Sequence, residues 1–239
     1  MGRSRPGRGK RTALTVLAVF GIVLFSALGI WQVERRIWKL ALIEAVDARV
    51  QATPVPAPSP AAWSSIGRER HAYLHVVTRG RFLHDRETLV RAVTDLGTGF
   101  WVLTPLVTDT GFVVLVNRGY VPPERAAQAS RRRNLPAHAT VTGLLRMSEP
   151  GGGFLRRNDP AANRWFSRDV QAIATARRLV RVAPYFIDAD ANARPEHAWP
   201  RAGLTVIRFQ NNHLVYALTW FGLAGLCLVA LIIVRRTRA

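Results

Sequence analysis

The chain of 239 residues carries 34 Lys and Arg against 15 Asp and Glu, a net charge of +19, and 49% of it comes from the hydrophobic set. That length suits one substantial domain and is short for two. A single cysteine, Cys227, excludes an intrachain disulfide, a Cys-x-x-Cys redox pair, a cysteine zinc cluster, a covalent c-type haem and a thiolate-pair copper carrier.

A basic excess of this size suits nucleic acid, but its placement argues otherwise. Eight of the 34 cations lie in two short tails, Arg3, Arg5, Arg8, Lys10 and Arg11 at the front and Arg235, Arg236 and Arg238 at the back. Each tail abuts a long apolar run. Thr12 to Trp31 is 20 residues without a charge and Leu214 to Val234 is 21, each close to the ~30 Å of a bilayer core at 1.5 Å per residue. Neither run has the polar face of a soluble helix, so residues 12–31 and 213–234 are read as transmembrane helices. Ala27 and Gly29 resemble a signal-cleavage spacing, yet the run exceeds the ~7 to 15 apolar residues of such a signal and is expected to be retained. The basic tails, 1–11 and 235–239, place both termini in the cytoplasm. The 181 residues from Gln32 to Asn212, net +11, then face outward. That charge suits anionic lipid headgroups or an acidic partner, or simply a solvated surface. An 11-residue front tail leaves no room for an amphipathic transit helix, so the expected location is a bacterial inner (plasma) membrane with the central domain periplasmic.

Past Trp31, the spacing of Val33, Ile37, Trp38, Leu42 and Val46 keeps a helical period, which predicts a helical stalk over 32–52. Thr53 to Pro60, TPVPAPSP, cannot be helix and reads as an extended linker. Residues 61–212 form a mainly β domain, with strands predicted at Tyr73–Phe82, Thr88–Val93, Phe100–Val107, Phe112–Asn117, Thr140–Met147, Tyr185–Asp188 and Leu204–Phe209. Asp109, Thr110 and Gly111 predict a hairpin between the third and fourth. Pro105 places the third at an edge or bulge. One helix is predicted at Arg168–Leu179, capped by Ser167. The fold class is therefore a membrane protein in which two transmembrane α-helices flank a mainly antiparallel β outer domain, a small barrel or sandwich with a minor helix.

Enzyme constellations are absent from the sequence. There is no G-x-S-x-G, no H-E-x-x-H and no phosphate-binding ending to the glycine loop Gly151–Gly153. His71, His75 and His84 are the nearest approach to a metal cluster, but the stretch holding His71 and His75 reads as a strand rather than a helix and neither has a supporting carboxylate nearby, which argues against zinc. The membrane boundary is more informative. His213, Tyr216, Ala217 and Trp220 recur at helical spacing on the second span. An interfacial aromatic belt explains them, and so does an imidazole ligand to haem iron with Tyr216 and Trp220 packed on the macrocycle. On the first span Leu28, Trp31, Arg35 and Trp38 share one face and Gly29, Gln32 and Arg36 another. Arg35 suits a haem propionate or a lipid phosphate.

Three motifs, L-G-I-W-Q-x-x-R-x-x-W-K at Leu28–Lys39, V-N-R-G-Y-V-P at Val116–Pro122 and N-N-H-L-x-Y-A-L-T-W at Asn211–Trp220, together resemble the surfeit locus protein 1 family, membrane factors that assist assembly of haem-copper cytochrome oxidase. The resemblance covers nearly the whole chain. It departs at Tyr120, where Trp is commoner, and at Arg201 and Ala202, which interrupt a usually Gly-rich approach to the second helix. It implies a non-enzymatic role, partners in the oxidase catalytic subunit and the haem a synthesis machinery, and binding of haem a for insertion into that subunit. The residues it carries over are His213 as iron ligand, with Trp31, Gln32, Arg35, Tyr216 and Trp220 around the cofactor. Asn117 and Arg118 are expected to close a strand end rather than touch the cofactor. Two alternatives stand beside this reading: a structural chaperone of oxidase subunits that never binds haem, and a membrane-bound enzyme, disfavoured by the missing constellation.

Overall fold

The computed structural model describes residues 8–129, 138–153, 155–191, 199–204 and 211–236. The chain falls into two compact units, Met1–Ala45 with Arg208–Ala239, and Val46–Ile207. Helix α1 is a single run of 44 residues, Arg8–Gln51, about 66 Å long at 1.5 Å per residue. The membrane segment and the stalk are thus one uninterrupted helix, as the lack of any breaker before Pro54 requires. The closing helix α5 (His213–Arg236) and α1 are both long and apolar enough to cross a bilayer.

The Val46–Ile207 unit begins with the last turns of α1, where Val46 is buried. The proline-rich segment is extended as expected, but it is not a free spacer. Its strand β1 (Val55–Pro56) pairs parallel with β2 (His75–Phe82), and the Ala57 N–H donates to Val77 O at 2.9 Å. A 3₁₀ turn at Pro60–Ser65 and the short helix α2 (Arg68–His71) follow.

The remaining elements are β3 (Thr88–Thr94), β4 (Gly97–Thr108), β5 (Val113–Val121), α3 (Pro123–Ala129), β6 (His138–Met147), β7 (Gly152–Gly153), β8 (Arg156–Arg157), α4 (Val170–Ala176), β9 (Val182–Ala189) and α5 (His213–Arg236). Strands β2, β6, β9, β5 and β4 neighbour one another in that order, and β4 returns to β2. The β domain is therefore built on a closed five-stranded barrel, the closure that removes sheet edges within it. Its interior is filled by Val76, Leu106, Val114, Val116, Leu145, Tyr185 and Ile187. On the outside of the same wall, Leu103, Leu115 and Phe186 pack under Val90, Trp165, Val170 and Ile173. Strand β5 is buried on both faces along its whole length, which explains why it reads as a nearly continuous apolar run, VVLVNRGYV, rather than an alternating one.

Several expectations change in detail. The predicted hairpin joins β4 to β5, with Gly111 at φ +83°. Pro105 is at neither an edge nor a bulge. It pairs with Leu115 of β5, and its carbonyl accepts from Leu83 N at 2.8 Å on the other side. That side is where β4 exchanges β3 for β2 as its neighbour, so the missing N–H falls outside both ladders. The predicted helix at Arg168–Leu179 shrinks to α4. Its cap is Asp169, which accepts from Ala172 N, whereas Ser167 donates to Glu149 O. The helix stops because Arg178 is left-handed at φ +52°. β5 and β9 run parallel, an exception to the antiparallel rule that strand patterning does not reveal. Of the strand expected at Leu204–Phe209, residues 205–209 lie outside the described residues.

Candidate functional site

The two long helices meet through small residues. Ala18, Gly21 and Gly29 on α1 are buried, as are Ala217 and Ala224 on α5. A Cβ built on Gly21 would stand 2.7 Å from Cys227 Sγ, and one on Gly29 would stand 2.6 Å from the Phe221 ring. Only glycine admits this approach, and it is the usual basis of helix association in lipid, where burial of apolar surface supplies no driving force. Between these contacts Phe25 stacks on Trp220, centroids 5.7 Å apart and planes 20° from parallel. The seam ends in a polar pair: His213 Nδ1 lies 2.8 Å from Gln32 Oε1.

That pair defines the chemistry of His213. A carbonyl-type oxygen only accepts, so Nδ1 carries the proton and donates it to Gln32 Oε1. In the neutral ring the lone pair then belongs to Nε2, for which no protein partner is found among the described residues. A hydrogen-bond acceptor that fixes one ring nitrogen so that the other can coordinate is the usual arrangement around imidazole-bound metals.

The six residues expected around a cofactor separate into two sets. Gln32, His213 and Trp220 are in the seam. Trp31 and Tyr216 are on the open flanks, 54% and 53% exposed. Arg35 is also exposed and stacks over the Trp38 ring at 4.2 Å. Of the two faces expected on α1, the one bearing Gly29 and Gln32 meets α5. Phe25 and Phe221 were not among the expected residues. The signal for Phe25 was available, since Ala18, Gly21, Phe25, Gly29 and Gln32 step by three, four, four and three, a continuous helical stripe.

The V-N-R-G motif lies in the barrel. Asn117 donates to Asp188 Oδ1 at 2.8 Å and accepts from Gly119 N at 3.1 Å. Arg118, the neighbouring residue on the opposite face of β5, reaches Glu87 Oε2 at 3.3 Å, while Thr104 donates to the same oxygen at 2.8 Å. Burial pushes the Glu87 carboxyl up despite the opposing pull of Thr104 and Arg118. Gly119 has φ +122°, and a Cβ there would meet Arg201 O at 2.1 Å. Asn117 and Arg118 therefore lie within β5, which continues to Val121, rather than closing its end, and they tie it to β9 and to Glu87 before β3. His71, His75 and His84 do not converge: His75 bonds to Ala52 O and Asp190, and His71 accepts from Gly67 N. No group of three metal-ligating side chains occurs among the described residues.

The model of the SURF1 family matches residues 19–225, from within α1 through the barrel and into α5. The chain is 34% identical to Surfeit locus protein 1 of Homo sapiens over 228 residues, 88% of this chain and 73% of that protein. It is 34% identical to the Mus musculus protein of the same name over 215 residues, 83% and 68% of the two chains. The SURF1-like protein of Monosiga brevicollis is likewise 34% identical, covering 90% and 84%. The chain belongs to the SURF1 family. The stretch matched in this SURF1 member contains both the Gln32–His213 pair and Asn117 and Arg118 of β5.

Proposed function

We propose that this SURF1 member is an assembly factor for haem-copper cytochrome oxidase that holds haem a as cargo at the His213 end of its helix pair and presents it for insertion into the catalytic subunit. The family is known for oxidase assembly, which supplies the process and no catalytic step. The observation that carries the cargo reading is the bond from His213 Nδ1 to Gln32, because it leaves the Nε2 lone pair for an iron. The exposed rings of Trp31 and Tyr216 offer apolar surface to a macrocycle. Arg35 offers guanidinium N–H groups to a propionate while its face rests on Trp38. Because small residues close the seam below Gln32, the cargo belongs on these flanks rather than between the helices. The site faces the outer side of a bacterial inner membrane, with both basic tails cytoplasmic, beside the oxidase subunit and the machinery that makes haem a.

The same His213–Gln32 bond favours a second reading, a chaperone without haem, since interhelical hydrogen bonds in lipid contribute roughly 0.6 kcal/mol on average and up to about 2. Purification in mild detergent after production together with haem a synthesis separates the two. The haem reading expects a haem a spectrum that is lost in His213→Ala, while limited proteolysis leaves the barrel intact. A wild-type protein without haem, or an unchanged spectrum in the variant, transfers the role to the chaperone reading.

A further inference from the structure

Three elements of the outer domain build a surface that the helix-pair site does not use. Strand β3 is the end strand of the sheet, next to β4 alone. Asp95 and Leu96 form its two-residue turn, so Thr94 and Gly97 are the bonded pair that closes the hairpin. By alternation, the backbone groups of Leu89, Arg91 and Val93 point away from β4. Arg91 N fits this, donating to Trp165 O at 2.9 Å. Beyond that bridge the covering segment leaves the edge, since the Phe166 and Ser167 N–H groups turn to Asn158 Oδ1. Val93 is left with its N–H and C=O outward and its side chain 83% exposed.

The side chains around this open edge are of two kinds. Phe166 lies between two guanidiniums, Arg91 Cζ 5.7 Å and Arg156 Cζ 5.6 Å from its ring centroid. The β7–β8 hairpin rests on the same phenylalanine, with a Cβ on Gly153 falling 3.7 Å from Phe166 Cβ. At the hairpin tip, Leu155 is 90% exposed and left-handed at φ +56°, so an apolar side chain is held outward next to Arg156 and Arg157. Among the described residues no carboxylate pairs with Arg91, Arg156 or Arg157. The nearby Asp159 is taken by Arg164 at 2.6 Å and Glu149 by Arg168.

We infer that the β3 edge and the β7–β8 tip form a docking surface for an extended acidic segment of a partner protein, which adds a strand at Val93 and places carboxylates on Arg91 and Arg156 and apolar side chains on Phe166 and Leu155. Charge complementarity selects an acidic occupant. The outward main-chain donor and acceptor select a polypeptide, because strand addition satisfies them in register and a lipid headgroup does not.

The test uses the full-length protein in detergent, a decapeptide alternating Glu and Val, its Lys–Val counterpart and phosphatidylglycerol vesicles. The Glu–Val peptide is expected to shift the amide signals of Val93 and Leu155, and the Lys–Val peptide to leave them in place. Affinity should fall at least tenfold in Arg91→Glu/Arg156→Glu and change less than twofold in Arg68→Glu/Arg70→Glu, an equal charge change on exposed α2. Val93→Pro should also weaken binding, since it removes an outward N–H and no bond of the β3–β4 ladder. Unchanged slow exchange of the β5 amides verifies that each variant is folded, and Leu155→Asp replaces any variant that is not. Equal weakening by both charge reversals overturns the proposal in favour of general attraction to a basic protein. An inert Val93→Pro overturns strand addition, and vesicles protecting these amides while the peptide does not would make the surface a membrane contact.

Discussion

Asp188 is buried on β9 and accepts from three directions: Asn117 at 2.8 Å, Arg146 at 2.6 Å and Arg168 at 3.3 Å. Burial of Arg168 opposes its charge, but Asp188 and Glu149 outweigh it and raise its pKa above the ordinary value. Removing the shared carboxylate takes the acceptor from buried Asn117 and half-buried Arg146 and leaves Arg168 with Glu149 alone, so Asp188→Ala should destabilise the barrel by about 3–5 kcal/mol. Chemical unfolding of the β domain measures this, and a loss below about 1 kcal/mol would refute the account. Gly111→Val places a β-branched residue at φ +83° in the β4–β5 turn and should lower the folded yield by a cost on the order of 1–3 kcal/mol. Protease resistance equal to wild type would count against it. At this scale the sequence was partly legible. Asn117 could be read as a strand-closing residue, but its partner stands 71 positions away, and nothing local to either residue marks the pair.

Two element junctions depend on contacts with residues remote in the chain, one polar and one apolar. At the first, His75 on β2 has Nδ1 2.8 Å from Ala52 O, just past the end of α1, and Nε2 2.8 Å from Asp190 Oδ2, just past β9. Both neighbours are acceptors, so the two bonds together require the doubly protonated ring. Partial burial disfavours that charge, and the bonds to Asp190 and Ala52 outweigh it, raising the pKa above the ordinary 6.5. A raised folded-state value means that this junction is fully stabilising below about pH 6.5 and loses its contribution as pH rises through the folded-state pKa. The His75 ring signals should therefore titrate above 6.5, and below the wild-type midpoint in Asp190→Asn. A wild-type midpoint under 6.5 would sink the assignment. At the second junction, Gly29→Leu drives a side chain into Phe221 and should separate α1 from α5. Cross-linking between cysteines introduced at Gln32 and His213 should then fall severalfold relative to the same pair on the Gly29 background.

For the molecule as a whole, the arrangement of charge around the spans predicts the topology. A reporter active only in the cytoplasm should work when fused after Ala239 and fail when placed near Gly152. Activity at Gly152 would reverse the orientation and move the His213 end to the other side of the membrane.

Sequence alone determined the two long apolar helices, the continuation of the first without a break, the β character of the centre and the hairpin at Gly111, because each depends on composition or short-range periodicity that survives without tertiary contacts. It also placed His213 and Gln32 on their helices, through spacing. Only tertiary structure decided that the β domain closes as a barrel through β2 and β4, that β9 runs parallel to β5 and that α4 is capped by Asp169. It alone selected the Gly29–Gln32 face of α1 over the Trp31–Arg35 face for contact with α5. The reason is common to all four. Which of several compatible partners a strand edge, a cap or a helix face takes depends on packing against residues remote in the chain, and a local pattern is equally consistent with each choice.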